Sequence, residues 1–388
     1  MKPLDNIRVL DLTRVLAGPY CTALLADLGA EIIKIEPPRG DDYRSIGPFK
    51  DGESALFSLN NRGKKSIALD LKSAEGQALA RQIARQCDVV VENFRPGITE
   101  KMGLGPEDLQ ADNPGLVYAR ISGFGQSGPF RDLPAYDLVV QAMSGLMAAT
   151  GEEGGVPLKT GESLADLMGG LFGSWSILAA LFQRTRTGRG TVLDIAMYDA
   201  VYSLLTTSHA LYFYADRLPE RVGNRHPLST PFGCFTTVDG LVAIAVLTPA
   251  QFARLAALIG HPDLPEDPRF VTDEVRTQNE PALKALIEAW SGTQSTQAAM
   301  VALAETELPS APIWDLGQAS TSDHAKARAL VRGGARPVVG QPVWFDGEKP
   351  VAPRPAPELS EDADYVLRDL CGLDANIVSA LKQDGVIR

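Results

Sequence analysis

The chain has 388 residues, with 37 basic and 48 acidic side chains and a formal charge of −11. That length holds a large core and predicts two domains. The acidic balance argues against a nucleic-acid partner, which would need a broadly basic surface, but leaves room for a polyanionic small ligand on a local basic cluster. The four cysteines, Cys21, Cys87, Cys234 and Cys371, are scattered, without CxxC spacing or a histidine at ligand distance in sequence. Neither a disulfide framework nor a metal site is expected, and a reducing compartment fits. No apolar run of about 18 residues is free of polar breaks, so no membrane span is expected. The start, MKPLDNIRVLDLTRV, lacks the charged-then-apolar layout of a signal peptide. The expectation is a soluble cytoplasmic protein.

IRVLDL (7–12) reads as the first strand. GPYCTALLADLGA follows as a helix, with Pro19 near its start and Gly29 near its end. EIIKIEPP is a second strand, ended by two prolines, and KSIALDL is a third. SAEGQALARQIARQC reads as a helix with Ser73 as N-cap and Glu75 in its first turn. DVVVENF is the next strand, PEDLQADNPG a short helix stopped by Asn-Pro-Gly, and LVYARISGFG another strand. Such alternation predicts an α/β fold with a parallel sheet, whose ligands sit beyond the carboxyl ends of the strands. From about 163 to 215 the pattern is mostly helical, broken by TRTGRG and the strand TVLDIAM. DRLPERVGNRHPLSTPFG is loop-like, and CFTTVDGLVAIAV reads as a hairpin turning at Asp-Gly. Helical stretches follow at 249–260 and 279–305. The proline-rich segment 326–358 suits a surface wrap, and a final helical region spans 361–383. The expected divisions are 1–215, a smaller α+β domain at 216–325, and 326–388.

No GxGxxG follows any early strand, and no GxxxxGK[ST] appears. Nicotinamide, flavin and P-loop chemistry are therefore disfavoured despite the Rossmann-like alternation. VENFRPG (91–97) places an amide, an aromatic face and a guanidinium at a strand's carboxyl end: Asn93, Phe94 and Arg95. The set reads either as a grip for an adenine and a phosphate or as an ordinary strand exit with a solvated arginine. Arg39, Lys72 and Lys101 add positive charge, or are simply solvated surface. GFGQSG (123–128) reads as a surface turn. His226 sits in the loop GNRHP beside Arg225, and His209 falls in a helical run, where it reads as a packed residue. Within GESLADLMGG, Asp166 lies on the first turns of a helix whose continuation, LFGSWSILAALF, is too apolar for a surface. A carboxylate there is either an acid favoured by the helix dipole or one that is used.

Taken in order, VLDLTRVLAGPYCTALLADLGAEIIKIEPP, NRGKKSIALDLK, VENFRPGITEKMGL, GFGQSGP, AYD, GESLAD and TGRGTVLDIAMYDA resemble the class III CoA-transferases. That family also holds the formyl-CoA and carnitine-CoA transferases and the 2-methylacyl-CoA racemases. The resemblance spans nearly the whole chain. It implies a large Rossmann-like domain built from both chain ends, a small domain between, segment 326–358 as the return linker, and two interlocked subunits. It implies an aspartate nucleophile at Asp166. Around coenzyme A it implies Leu16, Ala17, Arg39, Leu69, Lys72, Asn93, Phe94, Arg95 and Lys101, with Ala135, Tyr136 and Asp137 near the pantetheine and thioester. No tightly bound cofactor is implied; CoA enters and leaves as a thioester, and the partners are an acyl-CoA and a carboxylic acid.

The family's racemases carry a histidine where this chain has Tyr136. A phenol with an ordinary pKa of about 10 is a poor base at neutral pH, which disfavours proton transfer. The formyl-CoA transferases carry a glutamine at the position of Leu16 and a longer glycine-rich loop in place of GNRHPLSTPFG, so formyl and oxalate are disfavoured. Arg225 and His226 suit a substrate's second carboxylate better than a carnitine-like cation. The resulting expectation is transfer of CoA from succinyl-CoA to a short dicarboxylic acid. A racemase and a CoA-ester-binding protein without turnover are the alternatives.

Overall fold

The computed structural model describes residues 2–333, 337–348, 351 and 353–388. Residues 334–336, 349, 350 and 352 of the expected linker lie outside the described residues. The described chain divides into two compact units, one of residues 1–146, 159–207 and 324–388, the other of 147–158 and 208–323.

The first unit is built on a six-stranded sheet. Its elements, in chain order, are β1 (Arg8–Asp11), α1 (Ala17–Asp27), β2 (Glu31–Glu36), β3 (Lys64–Ala68), α2 (Ala74–Ala84), β4 (Val89–Glu92), β5 (Val117–Ser122), α3 (Asp137–Met143), α4 (Leu164–Thr187) and β6 (Val192–Ala196). The strand order is β3-β2-β1-β4-β5-β6, and every pairing is parallel. The strands read as continuous apolar runs because both faces are covered: Val9, Val89 and Val117 pack on one side, Leu10, Val90 and Tyr118 on the other. The expected N-cap forms, with the Ser73 hydroxyl accepting from Gly76 N at the start of α2.

In this doubly wound order the connections run one way from β1 and the other way from β4, opening a crevice at their carboxyl ends. Helix α4 is long and apolar enough, by length and composition, to cross a membrane. Within this unit one face of it packs into the core. A Cβ on Gly170 would stand 2.6 Å from the Ala17 carbonyl oxygen, and one on Gly173 would stand 2.9 Å from Ile121 Cδ1. Glycine at these two positions is what lets α4 lie directly against α1 and β5.

The second unit contains a hairpin, β7 (Phe232–Thr237) and β8 (Gly240–Ala245), paired so that Gly240 faces Thr237 across the expected Asp-Gly turn. A third strand, β9 (Ser310–Pro312), joins β8, and the helices Pro249–Leu258, Glu280–Ser291 and Thr296–Glu305 enclose an apolar core around Phe252, Leu283 and Leu303. The stretch 279–305, expected to be helical, is two helices. The first stops at Gly292, and the Ser295 hydroxyl caps the second by accepting from Ala298 N.

Candidate functional site

The crevice begins where β1 and β4 stop pairing. The last main-chain bond between them runs from Leu12 N to Val91 O at 2.9 Å. Beyond it the Asn93 carboxamide takes over: Oδ1 accepts from Arg14 N at 2.9 Å and Nδ2 donates to Arg14 O at 2.8 Å. The loop after β1 is anchored from below as well. Buried Lys34 donates to Thr13 O at 2.7 Å and pairs with buried Asp41 at 3.0 Å. Asp41 Oδ1 accepts from Val15 N at 3.2 Å. Lys64 and Asp11, both fully buried, form a second ion pair at 2.9 Å. Burial alone would raise the Asp11 carboxyl, but Lys64, Lys34 and the two threonine hydroxyls outweigh it and hold it down at about 2.

Asp166 sits half-buried in the first turn of α4. Its neighbour Asp137 opens α3 and is buried. Asp137 Oδ1 accepts from Ala165 N at 2.8 Å, and Oδ2 from Gln141 Nε2 at 2.7 Å. Gln141 in turn accepts from Thr160 N at 3.0 Å. One buried carboxylate and one buried amide therefore fix the start of α4 and the turn before it. Burial pushes the Asp166 carboxyl up to about 7, and the Asp137 charge adds to it. A helix N-terminus favours an anion, so desolvation and like charge prevail over the dipole here. The Tyr43 phenol is also pushed up, by burial and by the Asp166, Asp41 and Asp137 charges.

Two cavities of the first unit meet at this edge. One, of about 160 Å³, brings Asp166 together with Leu16, Ala17, Asn93, Phe94, Arg95, Ala135 and Tyr136. The other, of about 420 Å³, collects Arg39, Leu69 and Lys72. Arg14 and Phe94 line both, with the Arg14 guanidinium 5.7 Å from the Phe94 ring centroid. Lys101, exposed at the end of the short helix Ile98–Lys101, and Asp137, spent on holding α4, line neither. Arg39 is exposed and pairs with Asp42 at 3.0 Å.

Arg225 and His226 belong to the second unit. Arg225 stands 3.6 Å from Glu153. His226 Nδ1 accepts from Leu228 N at 3.1 Å, and its ring lies against Phe232 at 5.4 Å. Sequence reasoning missed Arg14 and Arg131, which bring two further guanidinium groups to the Asp166 cavity. It also missed Gln141, whose spacing of four from Asp137 on one helix was the available signal. Among the described residues, no group of three His, Cys, Asp or Glu side chains is arranged to hold a metal ion.

The arrangement joins an outer cavity that carries Arg39 and Lys72, an aromatic–guanidinium pair and an inner carboxylate. A carboxyl near pKa 7 is ionised to a useful extent at neutral pH, and as the conjugate of a weaker acid it is more nucleophilic than an ordinary aspartate. A family model described as CoA-transferase family III matches residues 4–363. An acetyl-CoA:oxalate CoA-transferase of Acetobacter aceti is 40% identical over 96% of this chain and 97% of its own. A succinate–glutarate CoA-transferase of Agrobacterium fabrum is 37% identical over 95% and 96%. A crystal structure of a CaiB/BaiF family protein from Brucella suis superposes with a TM-score of 0.86 at 36% identity, covering 95% of this chain and 99% of that one.

Proposed function

Because the chain belongs to CoA-transferase family III and is a CoA-transferase, we propose that it moves CoA from succinyl-CoA to a four- or five-carbon dicarboxylic acid through a thioester on Asp166. The observation that carries the mechanism is the half-buried Asp166 carboxyl, pushed up to about 7 and held in the same cavity as Phe94, Ala135 and Tyr136. Its oxygen attacks the donor thioester carbonyl, the C–S bond breaks, and CoA leaves as thiolate from a mixed anhydride. The thiolate then attacks the Asp166 carbonyl of that anhydride and expels the donor acid, leaving aspartyl-CoA. The acceptor carboxylate attacks this thioester, giving a second anhydride and thiolate. Attack of thiolate on the acceptor carbonyl releases the new CoA ester and restores Asp166. Each step needs the reactants held together, and holding them in place lowers the barrier.

In this reading Arg39 and Lys72 meet the phosphates, Phe94 stacks on the adenine, and the pantetheine runs past Leu16, Ala17, Ala135 and Tyr136. Leu69 lines the nucleotide end, while Arg95 and Lys101 add charge at its mouth. Asp137 acts through the start of α4. Arg225 and His226 set acceptor selectivity. The assignment is supported by the names of the succinate–glutarate and succinyl-CoA:glutarate relatives, whereas the Acetobacter relative, named for acetyl-CoA and oxalate, is the competing substrate pair. The enzyme is proposed to work as a homodimer. Leu171, Trp175 and Phe182 form a stripe on α4 that is 45%, 64% and 60% exposed, an apolar face that suits a second copy of the chain. Its four unpaired cysteines suit the cytoplasm.

The test is a panel of succinyl-CoA or acetyl-CoA against succinate, glutarate, oxalate, formate and monocarboxylates, with products separated by chromatography. Turnover confined to succinyl-CoA with four- and five-carbon dicarboxylates is the expected result. Preference for oxalate or formate refutes the substrate assignment, and α-proton exchange without CoA transfer refutes the transferase reading. Arg225→Ala is expected to lose dicarboxylate selectivity while still turning over monocarboxylates.

A further inference from the structure

Val15 has φ +68°. A β-branched residue strongly disfavours that left-handed region, because Cβ and its two branches crowd the adjacent peptide groups. Such a conformation persists only where the surroundings over-determine it. Here they do. Val15 N donates to Asp41, Thr13 O is held by Lys34, and the main chain of Arg14 is gripped on both sides by the Asn93 carboxamide. Asn93, directly after β4, is the only one of these partners that does not come from β2 or the loop after it. Val15, and Leu16 and Ala17 after it, line the cavity that contains Asp166.

We propose that Asn93 is a positioning residue: its carboxamide clamps the strained Arg14–Ala17 segment in the conformation that faces Asp166. Oδ1 and Nδ2 each spend one hydrogen bond on Arg14, which fixes the orientation of the carboxamide plane against that residue's main chain. Without the clamp, Val15 relaxes toward the extended region and carries Leu16 and Ala17 away from the reacting carboxylate. This inference rests on the reading of Asp166 as the nucleophile only for what the segment faces. The strain and its clamp are independent of that reading.

The test is a double-mutant cycle in the full-length enzyme, with Asn93→Ala and Val15→Gly made singly and together. Steady-state kcat and KM are measured with succinyl-CoA and glutarate, and the Kd of free CoA by calorimetry. Glycine adopts positive φ without penalty, so it supplies by itself the conformation that the clamp otherwise enforces. Asn93→Ala is expected to lower kcat by about 10²-fold, the scale of a misplacement near 1 Å, with a smaller loss of CoA affinity because Leu16 and Ala17 also pass along the pantetheine. In the Val15→Gly background the same substitution is expected to cost less than about 10-fold, a non-additivity that only coupled sites produce. Equal losses in both backgrounds, or a loss confined to CoA affinity, overturn the proposal. If Asn93→Ala does not fold, Asn93→Asp carries the same comparison, since it still accepts from Arg14 N but cannot donate to Arg14 O. Asp166→Ala is run alongside. Retained activity in that variant refutes the nucleophile and leaves the Asn93–Val15 coupling to be judged on its own.

Discussion

Replacing Asp166 by asparagine should stabilise the fold, and by an amount that grows with pH. The carboxyl ionises near 3.8 in the unfolded chain and near 7 in the folded one, because burial and then Asp137 oppose its charge. Between those two values the folded state holds a proton that the unfolded state has released, so stability falls as pH rises. The penalty is absent well below pH 3.8 and complete above about pH 7. A shift of about three units corresponds to roughly 4 kcal/mol at pH 8, and to about 2 kcal/mol at pH 5, where the unfolded carboxyl is already mostly ionised. The asparagine side chain has nearly the same shape and does not titrate, so the Asp166→Asn variant avoids this penalty. Urea unfolding of both proteins at pH 5 and pH 8 measures the gap. The account predicts that the variant's advantage widens by about 2 kcal/mol over that interval, alongside loss of turnover. A gap that does not change with pH would mean that Asp166 is not held above its ordinary value, and the argument from its burial would fail.

Asp137→Asn removes the like charge beside Asp166, so the acid limb of kcat/KM against pH should move down, by the smaller part of the whole shift because burial is the larger cause; a midpoint that stays put or rises contradicts this. Gly170→Ala drives a Cβ to 2.6 Å from the Ala17 carbonyl oxygen, a clash with backbone that should lower stability by about 1–3 kcal/mol by chemical denaturation. Lys64→Ala leaves Asp11 buried with its main cation gone, and should destabilise by about 3–5 kcal/mol, whereas replacing both partners with apolar residues should cost clearly less.

Much of the scaffold was legible because its signals are local. The strand runs at 7–12 and 88–94, the Ser73 cap and the Asp239-Gly240 turn each need only a few neighbouring residues to be recognised. The break at Gly292 was missed since apolar spacing continues through it on both sides, while the signal lay in Ser295. Asp166 stood out because a carboxylate before an apolar helix is expensive to bury. The geometry that tunes it was not legible. Asp137 reaches Ala165 across 28 residues, and Asn93 reaches Arg14 across 79. Such bonds depend on strand order, which no local pattern encodes. Val15 gave no warning at all, since its backbone conformation is one that valine's own preferences argue against. The basic residues were hardest to sort. Solvated arginines and cavity-lining ones look alike in sequence, and only the fold showed that Arg14 and Arg131 join Arg95 at the Asp166 cavity.

The covalent role of Asp166 is tested most directly by incubating the protein with succinyl-CoA, trapping with hydroxylamine, and mapping the modification by peptide mass spectrometry beside Asp166→Ala. The account predicts a hydroxamate on the peptide that carries Asp166, dependent on the CoA ester and missing from the variant. Undiminished transfer by Asp166→Ala, or a trapped adduct on any other residue, would contradict it.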